Sequence, residues 1–184
     1  MLYTPFFAKE YFNQSTTRGK YSIAAPRDSK TSVAGGNLRG DQRLPAANSS
    51  LKFYGDLYDL GIAETSGRMI SYEMDFMRYN FQQYPLFFDR MHAADEWFGG
   101  MADAAAARNL SVQYCLPGAS DVLQSLRYNS VTQGRASGDY GFASGPEAKE
   151  ENVRTLGASS LLFGACGLGP SKDTLWTNAS ERQG

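Results

Sequence analysis

Between residues 69 and 77 apolar and polar side chains alternate: Ile70, Tyr72, Met74 and Phe76 interleave with Ser71, Glu73 and Asp75. In a strand successive side chains point to opposite faces, so this pattern predicts one bulky apolar face and one face carrying both carboxylates. Carboxylates on a covered face are costly unless that face opens on something polar. The segment therefore predicts either a half-exposed strand with a solvated acidic face or a buried strand that delivers Asp75 to an edge.

The rest of the chain alternates between strand-like and helix-like patterns. Residues 2–7 predict a short strand with Pro5 at its end or edge. Residues 13–50, rich in Ser, Thr, Gly, Asn, Arg and Pro, predict a long loop with a minor hairpin around residues 21–25. Ser49 or Ser50 caps a helix whose apolar face runs through Leu51, Tyr54, Leu57, Tyr58 and Leu60, with Gly61 as its stop. A longer helix over about residues 86–108 contains His92 and kinks at Gly99 and Gly100. Strands are predicted at 111–116 and 131–137, with a helix from Ser120 to about Tyr128 between them. Residues 150–166 predict a helix, although 160–166 also read as a strand, and a last short strand falls at 173–177. Such alternation predicts an α/β domain of parallel βα units spanning residues 1–184.

The spacing of two acids refines the fold. Asp75 and Asp139 lie 64 residues apart at the ends of two strands with one strand between them, an average of 32 residues per βα unit. A closed (β/α)8 barrel of the TIM type has about 31 per unit and builds its active site at the C-terminal ends of its strands. An open doubly wound sheet normally carries a Gly-rich phosphate loop after an early strand, and this sequence has none. About five units are visible, so an incomplete barrel is predicted: a fragment of a longer polypeptide, a barrel completed by another chain or a second copy, or one that closes differently.

Composition narrows the partners. A formal net charge of −1 with scattered basic residues offers nucleic acid no footprint. No apolar run approaches the roughly 20 residues needed to span a bilayer, which predicts no membrane insertion. One histidine and two cysteines, Cys115 and Cys166, predict no metal centre, and no cofactor is implied. Four N-x-S/T sequons, at Asn13, Asn48, Asn109 and Asn178, favour a secreted or secretory-lumen protein, although the N-terminus does not read as a signal peptide. Asp56 and Asp59, three apart on a helix, read as a solvated face.

Two acids at a barrel mouth suit glycoside cleavage with retention, in which one carboxylate attacks the anomeric carbon and the other protonates the leaving oxygen. The segments Tyr72-Glu73-Met74-Asp75 and Arg135-Ala136-Ser137-Gly138-Asp139 resemble the nucleophile and acid/base segments of α-galactosidases and their clan, including raffinose-synthase-like and α-N-acetylgalactosaminidase enzymes. The resemblance covers about residues 51–177, and the Arg-x-x-x-Asp spacing is its more specific part. It implies a retaining hydrolase of α-linked sugars with Asp75 as nucleophile, Asp139 as general acid/base and Arg135 as a partner of a substrate hydroxyl or of a carboxylate. Cys115 joins the substrate site by the same resemblance, relatives often carrying a cysteine there, and Glu73, on the face of Asp75, is a further substrate-binding candidate. Trp176, near a strand end, is a candidate for stacking on a sugar ring, whereas Trp97 reads as helix core. The chain departs from the pattern in having Glu73 where relatives commonly have Lys and Leu116-Pro117-Gly118 where they have sugar-reading polar and aromatic residues. The alternative is a catalytically silent relative that binds glycan or serves as an assembly subunit.

Overall fold

The computed structural model describes residues 1–4, 7–8, 19–24, 32–33, 36–37, 42–78, 84–88, 90–138 and 145–172. Strand β1 (Leu2–Thr4) stops short of Pro5 and is followed by β2 (Phe7–Ala8). The region that reads as one long loop instead holds short strands, β3 (Ile23–Ala24), β4 (Ser32–Val33), β5 (Gly36–Asn37) and β6 (Gln42–Pro45). Strand β6 pairs antiparallel with both β2 and β3, and β4 pairs with β5. The polar composition hid them because strands this short carry too few residues for a two-residue period.

A 3-10 turn (Ala47–Ser49) leads into α1 (Ser50–Glu64). Its buried stripe runs through Ser50, Phe53, Tyr54, Leu57, Tyr58 and Gly61, the i, i+3, i+4 spacing of a core-facing helix, while Leu51 and Leu60 lie exposed on its flanks. Gly61 does not stop the helix; a Cβ there would stand 2.6 Å from the Met69 sulfur. Asp56 on the outer face accepts from the Tyr21 hydroxyl at 2.7 Å and meets Lys20 and Lys52 at 2.9 Å each, tying the preceding segment to α1. Burial works to raise its pKa, but Tyr21, Lys52 and Lys20 together outweigh that and hold the carboxyl well below the usual range. Asp59 is held by Arg108, and no metal-holding cluster of His, Cys, Asp and Glu occurs among the described residues.

Strand β7 (Ser71–Met74) follows, then a 3-10 turn (Pro85–Phe87) and α2 (Ala93–Ala106). The helix expected over residues 86–108 is interrupted because His92 adopts a left-handed conformation, φ 73°, just before α2 begins. Next come β8 (Ser111–Tyr114), α3 (Ala119–Ser125) and β9 (Val131–Arg135). Gly118, not Ser120, precedes the first turn of α3, and its N–H donates to the Asp121 carboxylate at 2.8 Å. Helix α4 (Gly145–Ala165) takes up all but the last residue of the stretch 160–166 that also reads as a strand, and β10 (Gly169–Ser171) is the last described element. The strand expected at 173–177 lies outside the described residues.

Strands β1, β7, β8, β9 and β10 form one parallel sheet in that order, so each βα unit adds its strand beside the previous one. Tyr72 of β7 packs on Tyr54 and Tyr58 of α1, Tyr114 of β8 on Phe98 of α2, and Phe163 of α4 lies where a Cβ on Gly134 of β9 would stand 2.6 Å away. The register pairs Met74 with Tyr114 and Tyr114 with Gly134, so α1, α2 and α4 all cover the same face. Between α1 and α2 the core is aromatic. Trp97 sits among Tyr54, Phe87 and Phe98, and its ring N–H donates to the Pro45 carbonyl at 3.1 Å. Each such side chain contributes about 1.5–3 kcal/mol on burial. Among the described residues no helix is long and apolar enough to cross a membrane.

Candidate active site

The face of the sheet opposite the helices carries the polar set. Register places Glu73 beside Gln113 and Gln113 beside Gln133; two residues on, the ladder continues with Cys115 N–H donating to the Met74 carbonyl at 2.9 Å. Asp75, Cys115 and Arg135 thus fall in one row across the C-terminal ends of three adjacent strands. All are buried: Asp75 is 5% exposed, Cys115 1% and Arg135 8%, with Glu73 at 9%. The two carboxylates of the alternating segment share a face, as their spacing predicts. Both carboxylates are covered rather than solvated, although Gln133 on the same face is exposed, which removes the reading of β7 as a strand with a solvated acidic face.

The backbone bends sharply behind this row. Phe76 follows Asp75 with φ 54° and Leu116 follows Cys115 with φ 50°, both in the left-handed region that bulky side chains rarely enter. Each such residue costs on the order of 1–3 kcal/mol and persists where the surroundings impose it, commonly at functional sites. The bend at Phe76 aims its own N–H at the Asp75 carboxylate, 2.6 Å from Oδ1. The two bent segments run side by side, with Met77 N–H donating to the Cys115 carbonyl at 3.3 Å and Arg78 N–H to the Leu116 carbonyl at 3.1 Å.

The Cys115 thiol donates to the Asp75 carboxylate. Burial is the largest influence on this thiol and pushes its pKa far up, the hydrogen bond and charge of Asp75 push it further, Arg135 pulls it back and Glu73 adds to the rise. Cys115 is therefore a neutral donor to the carboxylate and no nucleophile of its own. In the native protein a disulfide reagent should titrate the half-buried Cys166 readily and Cys115 only on unfolding. Two thiols reacting equally fast in the folded chain would contradict the burial of this row.

Beside the row, at the C-terminal ends of β8 and β9, a cleft of about 410 Å³ opens between the loops after those strands and helices α3 and α4. Arg135 and Ser137 line it with Arg78, the hydroxyl residues Thr155 and Ser159, and an apolar wall that includes Leu116 and Phe163. Asp75 does not line the cleft; Arg135 joins the two regions.

Of the residues that sequence reasoning singles out, Glu73, Asp75, Cys115 and Arg135 are brought together. Asp139, Trp176, Asn13 and Asn178 lie outside the described residues. Asn48 and Asn109 are both exposed, the latter at the end of the α2 turn with φ 55°, although Ser50 of the Asn48 sequon is buried and donates to the Trp97 carbonyl. His92 is exposed at the start of α2 and faces Asp95 at 3.7 Å, away from the polar row. Arg78 escaped sequence reasoning because its place depends on the left-handed turn at Phe76, which no residue type announces. No family model, curated protein or solved structure matches the chain.

Proposed function

We propose that this chain is the central part of a (β/α)8 barrel and acts as a retaining glycoside hydrolase on α-linked sugars, with Asp75 as nucleophile and Asp139 as general acid/base. The observation that carries the reading is the row formed by Asp75, Cys115 and Arg135 at the C-terminal ends of consecutive parallel strands. Barrel enzymes place their chemistry at that edge. Two features favour a barrel over a doubly wound sheet: the strands lie in chain order, and helices α1, α2 and α4 cover one face, leaving the other to a polar interior.

The chemistry follows from the neighbours of Asp75. A carboxylate that attacks an anomeric carbon needs hydrogen-bond donors to orient it, and the Phe76 N–H and the Cys115 thiol supply them. Arg135 brings a cation to the same row, as a partner for a substrate hydroxyl or for the carboxylates. Strands β1 and β10 are the edges of the described sheet, so a closed barrel takes its remaining strands from another chain, a second copy or further sequence.

Glu73 favours the second reading, a silent relative that binds glycan or serves an assembly. It places another buried carboxylate on the face of Asp75 where a cation would better suit an attacking group. The test is to incubate the protein with aryl α-glycosides and follow the first-formed sugar by proton NMR. Release of the α-anomer is the expected result; release of the β-anomer first would exclude a covalent intermediate on Asp75, and no turnover across a panel of sugars would leave the silent relative.

A further inference from the structure

The cleft at the ends of β8 and β9 has a charge that the proposed hydrolysis does not account for. Among its described lining residues are two arginines, Arg78 and Arg135, and no Asp or Glu, in a chain whose formal net charge is −1. Arg90, Arg108 and Arg127 each hold a carboxylate, of Glu96, Asp59 and Asp95 respectively. Arg78 holds none among the described residues. Its backbone is pinned by the bond to Leu116, and its side chain passes the bare Cα of Gly118, where a Cβ would lie 3.8 Å from the Arg78 Cγ. A guanidinium whose backbone is held in place, which lines the cleft and which holds no carboxylate among the described residues, matches a planar oxyanion well.

We propose that this cleft is a subsite for an anionic substituent on a sugar, a carboxylate or a sulfate ester, with Arg78 as the residue that grips it. The sugar part of the proposal rests on the glycoside hydrolase reading; the charge part rests on the cleft alone. Its volume lies within the range of small-ligand sites. The apolar wall, with Leu116, Pro117, Val122 and Phe163, suits the C–H face of a pyranose, while Ser137, Thr155 and Ser159 bring hydroxyls to the same space. The acidic substituent would sit at the Arg78 end, with Arg135 leading toward Asp75.

The test measures binding of the full chain by calorimetry, at about 0.15 M salt, to two matched pairs. One pair is an oligogalacturonate and its carboxyl-reduced form, which tests a carboxylate; the other is a sulfated galactan oligosaccharide and its desulfated form, which tests a sulfate ester. In at least one pair the acidic member should bind about tenfold more tightly than the neutral one, the worth of a charge-assisted hydrogen bond. Arg78→Ala should bring that ratio close to one without altering neutral binding, and Arg78→Lys should keep part of it. The Arg78 side chain is exposed and holds no carboxylate among the described residues, so Arg78→Ala should melt with the parent chain.

A ratio near one in both pairs, a ratio that survives Arg78→Ala, or no binding of any acidic member would overturn the subsite. Hydrolysis of neutral and acidic members at equal kcat/KM would also overturn it while leaving the hydrolase reading intact. Acidic binding through Arg78 with no turnover would support the subsite and count against the hydrolase.

Discussion

Asp75→Asn should lower kcat on an aryl α-glycoside by about a thousandfold or more, the scale on which enzymes respond to loss of a nucleophile or its acid/base partner. Asn matches Asp in volume, and its carbonyl oxygen can still accept the Phe76 N–H that lies 2.6 Å from the carboxylate. The variant should therefore fold, and the loss should fall on kcat rather than on binding. A 2-deoxy-2-fluoroglycosyl fluoride distinguishes a nucleophile from a positioning carboxylate. The fluorine slows breakdown of the glycosyl-enzyme, so mass spectrometry of a digest should find the sugar ester on the peptide containing Asp75. Glu73→Gln is the control on the same face. It removes the second buried carboxylate of the segment and should leave the ester on Asp75. An ester found on Glu73 in the parent chain, or activity that survives Asp75→Asn, would end the assignment.

What the sequence made legible was the content of each strand more than the extent of each helix. The alternation around Asp75 was readable because Tyr72 and Met74 must meet the helices while Glu73 and Asp75 must not, and a two-residue period records that division directly. Even there Ile70, at 73% exposed, falls outside the strand, because the pattern begins one residue before the pairing does. The row itself was not readable from spacing. Asp75, Cys115 and Arg135 are joined by a register that depends on an irregularity between Val112 and Gln113, and by two left-handed residues of ordinary type, Phe76 and Leu116. Strand β10 was missed for a different reason. Gly169, Pro170 and Ser171 have poor strand propensity, and they are extended because β9 offers its edge, with Ala136 N–H donating to the Ser171 carbonyl at 2.9 Å.

Gly99 and Gly100 are neighbours with different surroundings, and Gly100→Ala should show the difference. In sequence Gly99 and Gly100 look like one hinge in a helix, yet α2 runs through both and only the second touches α1 closely. A Cβ at Gly100 would stand 2.5 Å from the Leu51 backbone nitrogen and 2.8 Å from the Ser50 Cβ, so α1 and α2 would have to part. Parting them would also loosen the Ser50 hydroxyl, which donates to the Trp97 carbonyl at 2.6 Å, and the aromatic packing around Trp97. Overpacking of this kind costs about 1–3 kcal/mol, more than the roughly 1 kcal/mol that alanine gains over glycine in a helix. At Gly99 a Cβ would meet Tyr128 at 3.5 Å, an ordinary contact, and the helix preference should prevail. The two substitutions should thus move the urea midpoint in opposite directions, Gly99→Ala upward and Gly100→Ala downward, with the slope of the transition unchanged. Equal midpoints, or a stabilised Gly100→Ala, would mean that α1 and α2 do not approach at Ser50 and Leu51. The segment leading from β6 into α1 would then lose the support that Trp97 gives to Pro45.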